Sequence, residues 1–438
     1  MLRRLDLRGA GNDLRGRLPR PAQAASGPIE AVRSILADVA ERGDDAVREL
    51  TERFDGVTLT DLRVPPGDVA AALEQVDDDL RNAIEHAAAG IRDFHEHQVV
   101  APHRYERDGI VVEGRRVPVD RAGCYVPGGR AIYPSTVLMT AVPARVAGVP
   151  EIVLCVPPDR TTGRVPTATL AAAAVAGVDE VYAIGGAQAV AAMAYGTETV
   201  RPVDVIVGPG NVYVALAKRE VAGMVGVPSS FPGPSEVVVV ADETAPVAFA
   251  AVDVILQAEH GPGGLAWLVS WSEAALDAIC AEIDAQVAVA PRRDDITSTF
   301  AEGGYAVLVD SPEQAIAVSN AIAPEHLELL TADPAVLVPL VRHAGAVFCG
   351  PWSPASVGDY LAGPSHVLPT DGSARFGSAL TVVDFQKDVH VVTLDRDALL
   401  RAAPTVATLA GAEGLAAHAE SVMRRVAAAE PAGGGDAP

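Results

Sequence analysis

The sequence predicts an α/β protein with two units, each built around a parallel sheet. The main observation is an alternation of apolar strand candidates with Ala-rich helices, which begins at about residue 134 and includes EIVLCV, EVYAIG and DVIVG. A second series of the same kind follows, with EVVVVAD, LAWLVSW, YAVLVD and AGAVFCG as its strand candidates. Continuous apolar strands spaced by helices are typical of parallel sheets that helices cover on both faces.

The segments on either side of this alternation have other patterns. Residues 29–98 space their apolar side chains three and four apart between charged faces, which predicts amphipathic helices. Residues 105–127 predict short strands and a Gly-containing turn. After residue 373 a strand-like stretch, SALTVVDFQKDVHVVTL, precedes helices that reach about residue 429, and the tail PAGGGDAP is predicted to be disordered.

Length and charge limit the classes of function. The chain has 438 residues, which suggests two or three folding units. Its 34 basic and 57 acidic side chains give a formal net charge of -23, and a surface this acidic repels phosphate backbones and anionic lipids. We therefore expect neither nucleic acid nor a membrane as a partner.

The N-terminal sequence, the apolar windows and the cysteines predict a cytoplasmic protein. Residues 1–20 are charged and contain no apolar signal-peptide segment, and windows such as ATLAAAAVAGV are too short to span a bilayer. The cysteines contain no C-x-x-C pair, so we interpret them as small buried side chains in a reducing compartment rather than as disulfide partners: Cys124, Cys155, Cys280 and Cys349.

The stretch QAEHGPGG, residues 257–264, has an amide and an imidazole at the end of a predicted helix. Gln257 and His260 are three residues apart and share one face of that helix, which glycine and proline then end. A histidine near a helix C-terminus is commonly a cap, because the helix dipole favours its positive charge. The alternative is a ligand of a metal or a polar substrate, and the spacing alone leaves both interpretations open.

The stretch APEHLELL contains the adjacent pair Glu325 and His326 at the entrance to a predicted strand. In α/β sheets the helix-to-strand loops lie at the opposite edge from the usual ligand crevice, which favours an exposed charged turn. The chemistry favours function, because an imidazole is suited to general-base catalysis near neutral pH and a neighbouring carboxylate can accept a second proton.

Two further stretches contain candidate residues. Residues 350–370, GPWSPASVGDYLAGPSHVLPT, predict a long irregular loop that holds Asp359 and His366, and such loops within compact α/β proteins are usually functional. Near the C-terminus GAEGLAAHAESV contains Glu413 and His418, for which an ordinary amphipathic helix is the simpler interpretation.

Several of these side chains offer the donors that a first-row metal prefers. Imidazole and carboxylate groups suit zinc, and no thiolate lies among them. The candidates are far apart in the chain, so their spacing cannot show that they assemble: Gln257, His260, Asp359 and His418.

Two glycine-rich turns are candidates for binding a nucleotide. AIGGAQAV and VGPGNVYV each read as a strand, a turn and the start of a helix, where backbone N–H groups can meet a phosphate. Ordinary tight turns between a strand and a helix have the same composition, and no G-x-G-x-x-G motif follows a strand.

The order of the motifs resembles that of the histidinol dehydrogenase family. The resemblance rests on GCYVPGGRAIYPSTVLM, GGAQAVAAMAYGT, GPGNVYVALAKREV, GPSEVVVVAD, QAEHGP, APEHLEL, WSPASVGDYLAGPSHVLPT and EGLAAHAES. It extends from about residue 30 to 425. It implies a zinc-dependent, NAD-dependent oxidation of L-histidinol to L-histidine through the aldehyde, in the last steps of histidine biosynthesis.

The resemblance also implies an architecture. The family is a homodimer with shared active sites, one zinc ion per subunit, and two α/β domains related to an incomplete Rossmann fold. Smaller helical N- and C-terminal arms exchange between subunits. On this chain we expect an N-terminal arm at 1–30, a metal and substrate domain at 31–115 and 236–375, an NAD domain at 116–235, and a C-terminal arm at 376–438.

The residue roles implied by the family fall on matching positions of this sequence. The implied zinc ligands are Gln257, His260, Asp359 and His418, and the implied proton acceptors are Glu325 and His326. The implied NAD contacts are Tyr125, Gln188 and Asn211. Contacts to L-histidinol are implied for the ligands and His326, and also for Ser235, His366 and Glu413.

Two other classes of function remain alternatives. A zinc-dependent hydrolase also activates water with a His/Asp/His metal site and a neighbouring glutamate, although it has no need of NAD-binding motifs. A non-catalytic two-domain binding protein has no need of Glu325 and His326 beside a metal. Formation of NADH from histidinol distinguishes the dehydrogenase from both.

Overall fold

The structure is a computed structural model, which describes residues 1–19, 28–129, 131–228, 235–259, 261 and 263–429. The predicted disordered tail lies outside the described residues. Contacts divide the chain into two compact units: one comprises residues 1–99 and 119–385, and the other residues 100–118 and the chain from 386 onward. No described helix is long and apolar enough to cross a membrane.

The secondary structure alternates between strands and helices over most of the chain. The strands are β1 (Arg3–Asp6), β2 (His103–Arg107), β3 (Ile110–Pro118), β4 (Arg121–Tyr125), β5 (Glu151–Cys155), β6 (Glu180–Tyr182), β7 (Val205–Val207), β8 (Glu236–Ala241), β9 (Leu265–Ser270), β10 (Gly304–Leu308), β11 (His326–Leu330), β12 (Ala346–Cys349) and β13 (Gln386–Leu394). The helices are α1 (Ile29–Arg42), α2 (Asp44–Asp55), α3 (Pro66–Gln75), α4 (Asp78–Glu96), α5 (Pro134–Val146), α6 (Thr167–Ala176), α7 (Gly186–Tyr195), α8 (Val212–Val221), α9 (Val247–Ala258), α10 (Glu273–Val289), α11 (Arg293–Gly303), α12 (Pro312–Ile322), α13 (Ala355–Tyr360), α14 (Arg396–Ala412) and α15 (Ala416–Ala429).

The first unit contains a four-stranded parallel sheet in the order β6-β5-β4-β7. Its strands are the apolar runs that the sequence predicts, and helices α5 to α8 alternate with them and pack on both faces. After β4 the chain adds β5 and β6 on one side of this strand, and it then adds β7 on the other side. Ligands of open α/β sheets bind at such a reversal, outside the carboxyl ends of the strands.

The first unit also contains a six-stranded parallel sheet in the order β1-β10-β9-β8-β11-β12. Strand β11 lies beside β8 in the interior of this sheet, and all five of its side chains are buried. The two parallel sheets confirm the predicted α/β class. Exchange of terminal arms in a dimer stays a prediction.

The N-terminus differs from the helical arm that the resemblance implies. Residues Arg3–Asp6 form an edge strand that pairs in parallel with β10, and Leu2 and Leu5 pack against the apolar cores on the two faces of the sheet. Four residues rich in arginine show no clear alternation of apolar and polar side chains. Pairing with β10, rather than local pattern, therefore determines this strand.

The predicted amphipathic helices between residues 29 and 98 are present as α1 to α4. Their apolar faces pack against the helices of the four-stranded sheet: α1 lies against α7 and α8, and α3 against α6. The predicted domain division, which groups residues 31–115 with 236–375, stays a prediction. An apolar face shows that a helix covers a core, but it does not show which sheet that core belongs to.

The second unit is an antiparallel sheet in the order β13-β3-β2, followed by the α14–α15 pair. Asp108 and Gly109 form the turn between β2 and β3 with positive φ angles of 54° and 80°, as a tight hairpin of this kind requires. No side chain of α15 is buried within the chain.

Candidate active site

A cavity of about 100 Å³ lies between the edges of the two parallel sheets. Gly208, Pro209 and Gly210 line it from the loop after β7, at the carboxyl end of the four-stranded sheet. Ser235 and Glu325 line it from the residues just before β8 and β11, at the amino end of the six-stranded sheet. The cavity thus lies between the carboxyl edge of the four-stranded sheet, where ligands usually bind, and the amino edge of the six-stranded sheet.

Glu325 is buried at the amino end of β11. Its Oε2 accepts a hydrogen bond of 3.0 Å from the backbone N–H of Glu236. Burial raises the pKa of Glu325 to about 7, although the nearby His326 opposes the shift. A carboxyl group with a pKa near neutrality can both accept and return a proton at physiological pH. The sequence-based hypothesis of an exposed charged turn is therefore wrong.

His326 is the first residue of β11, and its ring is buried. Nδ1 lies 3.3 Å from the carbonyl oxygen of Glu236, and Nε2 lies 3.4 Å from Oδ1 of Asp359. A carbonyl and a carboxylate can only accept, so the Glu236 contact favours a proton on Nδ1 and the Asp359 contact favours one on Nε2; Nε2 has a lone pair once that second proton is lost. Burial lowers the pKa of His326, but the carboxylates of Glu325 and Asp359 outweigh it and raise the pKa overall.

Gln257 and Asp359 reach His326 from two helices. Gln257 lies near the end of α9, where its Nε2 is 3.3 Å from Nδ1 of His326. Asp359 lies on α13, a short helix within the stretch 350–370 for which the sequence predicts an irregular loop. The structure therefore joins three of the predicted site residues, which are up to 102 residues apart in sequence, at the amino end of β11.

The donors at this point fit a metal ion. Gln257 is 2% exposed, and its Oε1 has no hydrogen-bond partner among the described residues. A buried amide oxygen of this kind is a donor that suits a divalent cation, as is the Asp359 carboxylate on the other side of His326. Among the described residues no three His, Cys, Asp or Glu side chains form a metal-binding group. His260, a predicted ligand, lies outside the described residues.

His366 and Ser235 belong to the same neighbourhood. The Nδ1 of His366 lies 2.8 Å from the backbone carbonyl oxygen of Asp359, and its Nε2 lies 3.1 Å from Oγ1 of Thr136. His366 therefore supports the loop behind Asp359 while it also lines the cavity. Ser235 lines the cavity from the residue before β8.

The three predicted NAD contacts follow strands of the four-stranded sheet. Tyr125 ends β4, and its hydroxyl accepts a 3.1 Å hydrogen bond from the N–H of Gly186, the first residue of α7. Gln188 is buried on α7, and neither atom of its amide has a hydrogen-bond partner among the described residues. Asn211 caps α8, because its Oδ1 accepts from the backbone N–H groups of Tyr213 and Val214. All three lie at the carboxyl edge of their sheet, where a dinucleotide is expected.

Glu413 and His418 lie in the second unit. Glu413 is the residue after α14, and His418 is in the first turn of α15. Both side chains are exposed. Within the described chain they belong to a different unit from Gln257, His326 and Asp359.

Sequence reasoning missed two buried features close to the site. Lys218 on α8 is buried and lines the cavity; its Nζ donates to the carbonyl oxygen of Gly208 at 2.8 Å, and burial lowers its pKa to about 8. Asp253 and Glu328 form a buried carboxyl pair under His326. For the carboxyl pair the available signal was a charged residue among apolar residues of a helix or strand.

A thiol does not contribute a nucleophile to this site. Cys124 is fully buried in β4, and burial raises the pKa of its thiol to about 12. A neutral, buried thiol reacts poorly with an aldehyde, because the thiolate is the nucleophilic form.

The sequence and the structure both match known proteins. The family model described as histidinol dehydrogenase matches residues 18–426. A histidinol dehydrogenase of Geobacillus kaustophilus is 47% identical over 397 residues, which are 90% of this chain and 93% of the relative. Histidinol dehydrogenase 2 of Nostoc sp. is 48% identical over 398 residues, 90% of this chain and 92% of the relative.

One solved structure agrees with the whole fold. The crystal structure of histidinol dehydrogenase from Elizabethkingia anophelis has a TM-score of 0.91 at 34% sequence identity, and the match covers 98% of each chain.

Proposed function

Because the chain belongs to the histidinol dehydrogenase family, we propose that Glu325 and His326 move the protons when this enzyme oxidises histidinol in histidine biosynthesis. Membership of this family excludes the two alternatives, a zinc hydrolase and a non-catalytic binding protein. The cytoplasmic location predicted from the sequence stays a prediction.

One observation carries the proposal. Gln257, His326 and Asp359 converge from α9, β11 and α13, and Glu325 is buried beside them at the end of the cavity. Two acid–base groups next to a set of oxygen donors is what oxidation of an alcohol and hydration of an aldehyde require.

We assign a zinc ion to Gln257, His260 and Asp359, with His418 as the fourth ligand. When bound, zinc supplies a Lewis acid and a template for a substrate with imidazole and amino groups. We propose that Tyr125, Gln188 and Asn211 would hold NAD, which would supply the hydride acceptor. Ser235, His366 and Glu413 then contact histidinol, as do the zinc ligands and His326.

The proton steps follow from the geometry of the pair. His326, with its Nδ1 directed to the carbonyl oxygen of Glu236, accepts the hydroxyl proton of histidinol at Nε2. Glu325, buried and with a pKa near 7, removes a proton from the water that hydrates the aldehyde. His326 returns its proton to the carbonyl oxygen as the hydrate forms and can then accept the hydroxyl proton of the hydrate, so the second oxidation needs no covalent intermediate with a cysteine.

We further propose that the enzyme is a homodimer whose active sites are shared. The support is that α15 buries none of its side chains within the chain, so His418 and the apolar side chains near it are available to a second copy. In that arrangement His418 and Glu413 of one subunit complete the site of its partner.

Removal of the metal tests the zinc assignment. Treatment with a chelator is expected to abolish NADH formation from histidinol, and added Zn²⁺ is expected to restore it, because the oxygen donors alone do not orient the substrate. Metal analysis of His260→Ala and Gln257→Ala should show loss of bound zinc, with Asp242→Asn, a buried carboxyl at the opposite edge of the sheet, as the control. Full activity of the chelated protein, verified free of metal, would contradict the assignment.

A further inference from the structure

Two buried acids lie below the site, where the proposed chemistry does not use them. Glu328 is 0% exposed on β11, and Asp253 is 6% exposed on α9. Their carboxyl groups face each other, and each changes the pKa of the other. Two carboxyl groups in such a position share a hydrogen bond only when one of them keeps a proton, because two carboxylates repel each other.

The surroundings of the two acids favour their protonated forms. Burial, together with the neighbouring Asp253, raises the pKa of Glu328 to about 9, and burial also raises the pKa of Asp253. At least one of the two carboxyl groups therefore keeps its proton near neutral pH, and that proton can join the pair. Oε1 of Glu328 also accepts a 3.0 Å hydrogen bond from the backbone N–H of Ala355, the first residue of α13.

The pair connects the three elements that carry the site, α9, β11 and α13. On each element the connection lies one helical turn, or two strand residues, away from the site residue. On α9, Asp253 precedes Gln257 by four residues, which is about one helical turn. On β11, Glu328 follows His326 by two residues, so both point to the same face of the strand. On α13, Ala355 precedes Asp359 by four residues. The layer of Gln257, His326 and Asp359 thus rests on a second layer formed by Asp253, Glu328 and the Ala355 N–H.

We propose that Asp253 and Glu328 are positioning residues for this reaction, which hold α9 and α13 on β11 so that Gln257 and Asp359 face the same metal ion. The inference rests on the zinc site proposed above. Groups that orient metal ligands from behind typically change metal affinity or activity by about 10- to 100-fold when they are removed. Burying two acids is costly, and a purely apolar contact would join the same elements at lower cost. The acids supply direction, since the Ala355–Glu328 hydrogen bond fixes α13 on the strand and the Asp253 carboxyl, which faces Glu328, aligns α9 with it.

The test compares a substitution that keeps the hydrogen bonds with one that removes them. In Glu328→Gln the amide oxygen can accept from Ala355 and the amide N–H can donate to Asp253, so we expect zinc affinity and turnover within about threefold of wild type. In the double variant Asp253→Leu/Glu328→Leu both acids are replaced by apolar side chains, which avoids an unpaired buried charge. Here we expect zinc affinity to fall by about 10- to 100-fold.

Zinc affinity is measured by competition with a chromophoric chelator, together with the melting temperature and NADH formation. Asp242→Leu is the matched control: Asp242 is a buried carboxyl at the carboxyl end of β8 that accepts from Thr244 and Ala332, so it should lower the melting temperature without changing zinc affinity. Unchanged zinc affinity in a folded double variant would overturn the proposal. If that variant does not fold, Glu328→Gln decides: retained zinc affinity and turnover support positioning, and a loss of either overturns it.

One result separates this inference from the proposed function. If wild-type protein binds no zinc, the metal assignment itself is wrong. If wild type binds zinc and Glu328→Gln binds it equally well but has lost turnover, Glu328 transfers a proton and is not a positioning residue.

Discussion

Glu325→Gln is expected to reduce oxidation of histidinaldehyde by at least about 100-fold while it leaves oxidation of histidinol to the aldehyde largely intact. Glutamine has the size of glutamate and keeps an oxygen that can accept the 3.0 Å hydrogen bond from the Glu236 N–H, so the site should pack as before. An amide cannot accept a proton from water, and only the second oxidation consumes water. The loss should therefore fall on that step.

The measurement is the initial rate of NADH formation with histidinol and, separately, with histidinaldehyde as the starting substrate. Glu243→Gln, at an exposed acid just beyond the end of β8, is the control and should match wild type with both substrates. Equal losses with the two substrates would show that Glu325 serves both steps or supports the site as a whole.

The second large effect is recovery of activity by mixing two inactive variants. Asp359 and His418 lie in different units of the chain, and we propose that each active site takes its Asp359 from one subunit and its His418 from the other. Homodimers of Asp359→Asn and of His418→Asn should each be inactive, because every site lacks one ligand. A mixed dimer has one site with both defects and one intact site.

Refolding the two variants together in equal amounts should restore about a quarter of wild-type activity, because half of the dimers are mixed and each has one good site. The control mixes Asp359→Asn with Gln257→Ala. These two positions lie in the same unit, so each site of that mixed dimer lacks a ligand and the mixture should stay inactive. If Asp359→Asn and His418→Asn also stay inactive together, each site is built from a single chain.

The apolar patterns of the sequence predict the strands and helices well. A strand that is buried on both faces of a parallel sheet is visible in the sequence as a continuous apolar run. Strands such as Glu151–Cys155 and Glu236–Ala241 are continuous apolar runs, and α9 ends where glycine and proline follow it. The edge strand Arg3–Asp6 shows no such pattern. It is a strand because it pairs with β10, which is far from it in the sequence.

The site was harder to predict from residues alone. The position of Glu325 and His326 before a strand argued against function, because the usual crevice lies at the carboxyl edge. That rule describes one sheet, whereas here the amino edge of the six-stranded sheet and the carboxyl edge of the four-stranded sheet line one cavity. The resemblance to a family identified the pair where the general rule did not.

The support beneath the site could not be predicted from local sequence. Asp253 occurs in a helix that is otherwise apolar around it, and Glu328 in the strand HLELL, and each would normally be placed at an exposed position. Only the packing of α9 on the six-stranded sheet brings these two isolated acids together.

The central claim is that one active site carries out both oxidations with NAD as the acceptor. The most direct test is to supply the zinc-loaded protein with excess NAD⁺ and a limiting, known amount of histidinol, and to follow NADH absorbance to completion. Because each hydride transfer removes two electrons, the account predicts two NADH and one histidine for every histidinol consumed. One NADH per histidinol, with free aldehyde as the product, would contradict it.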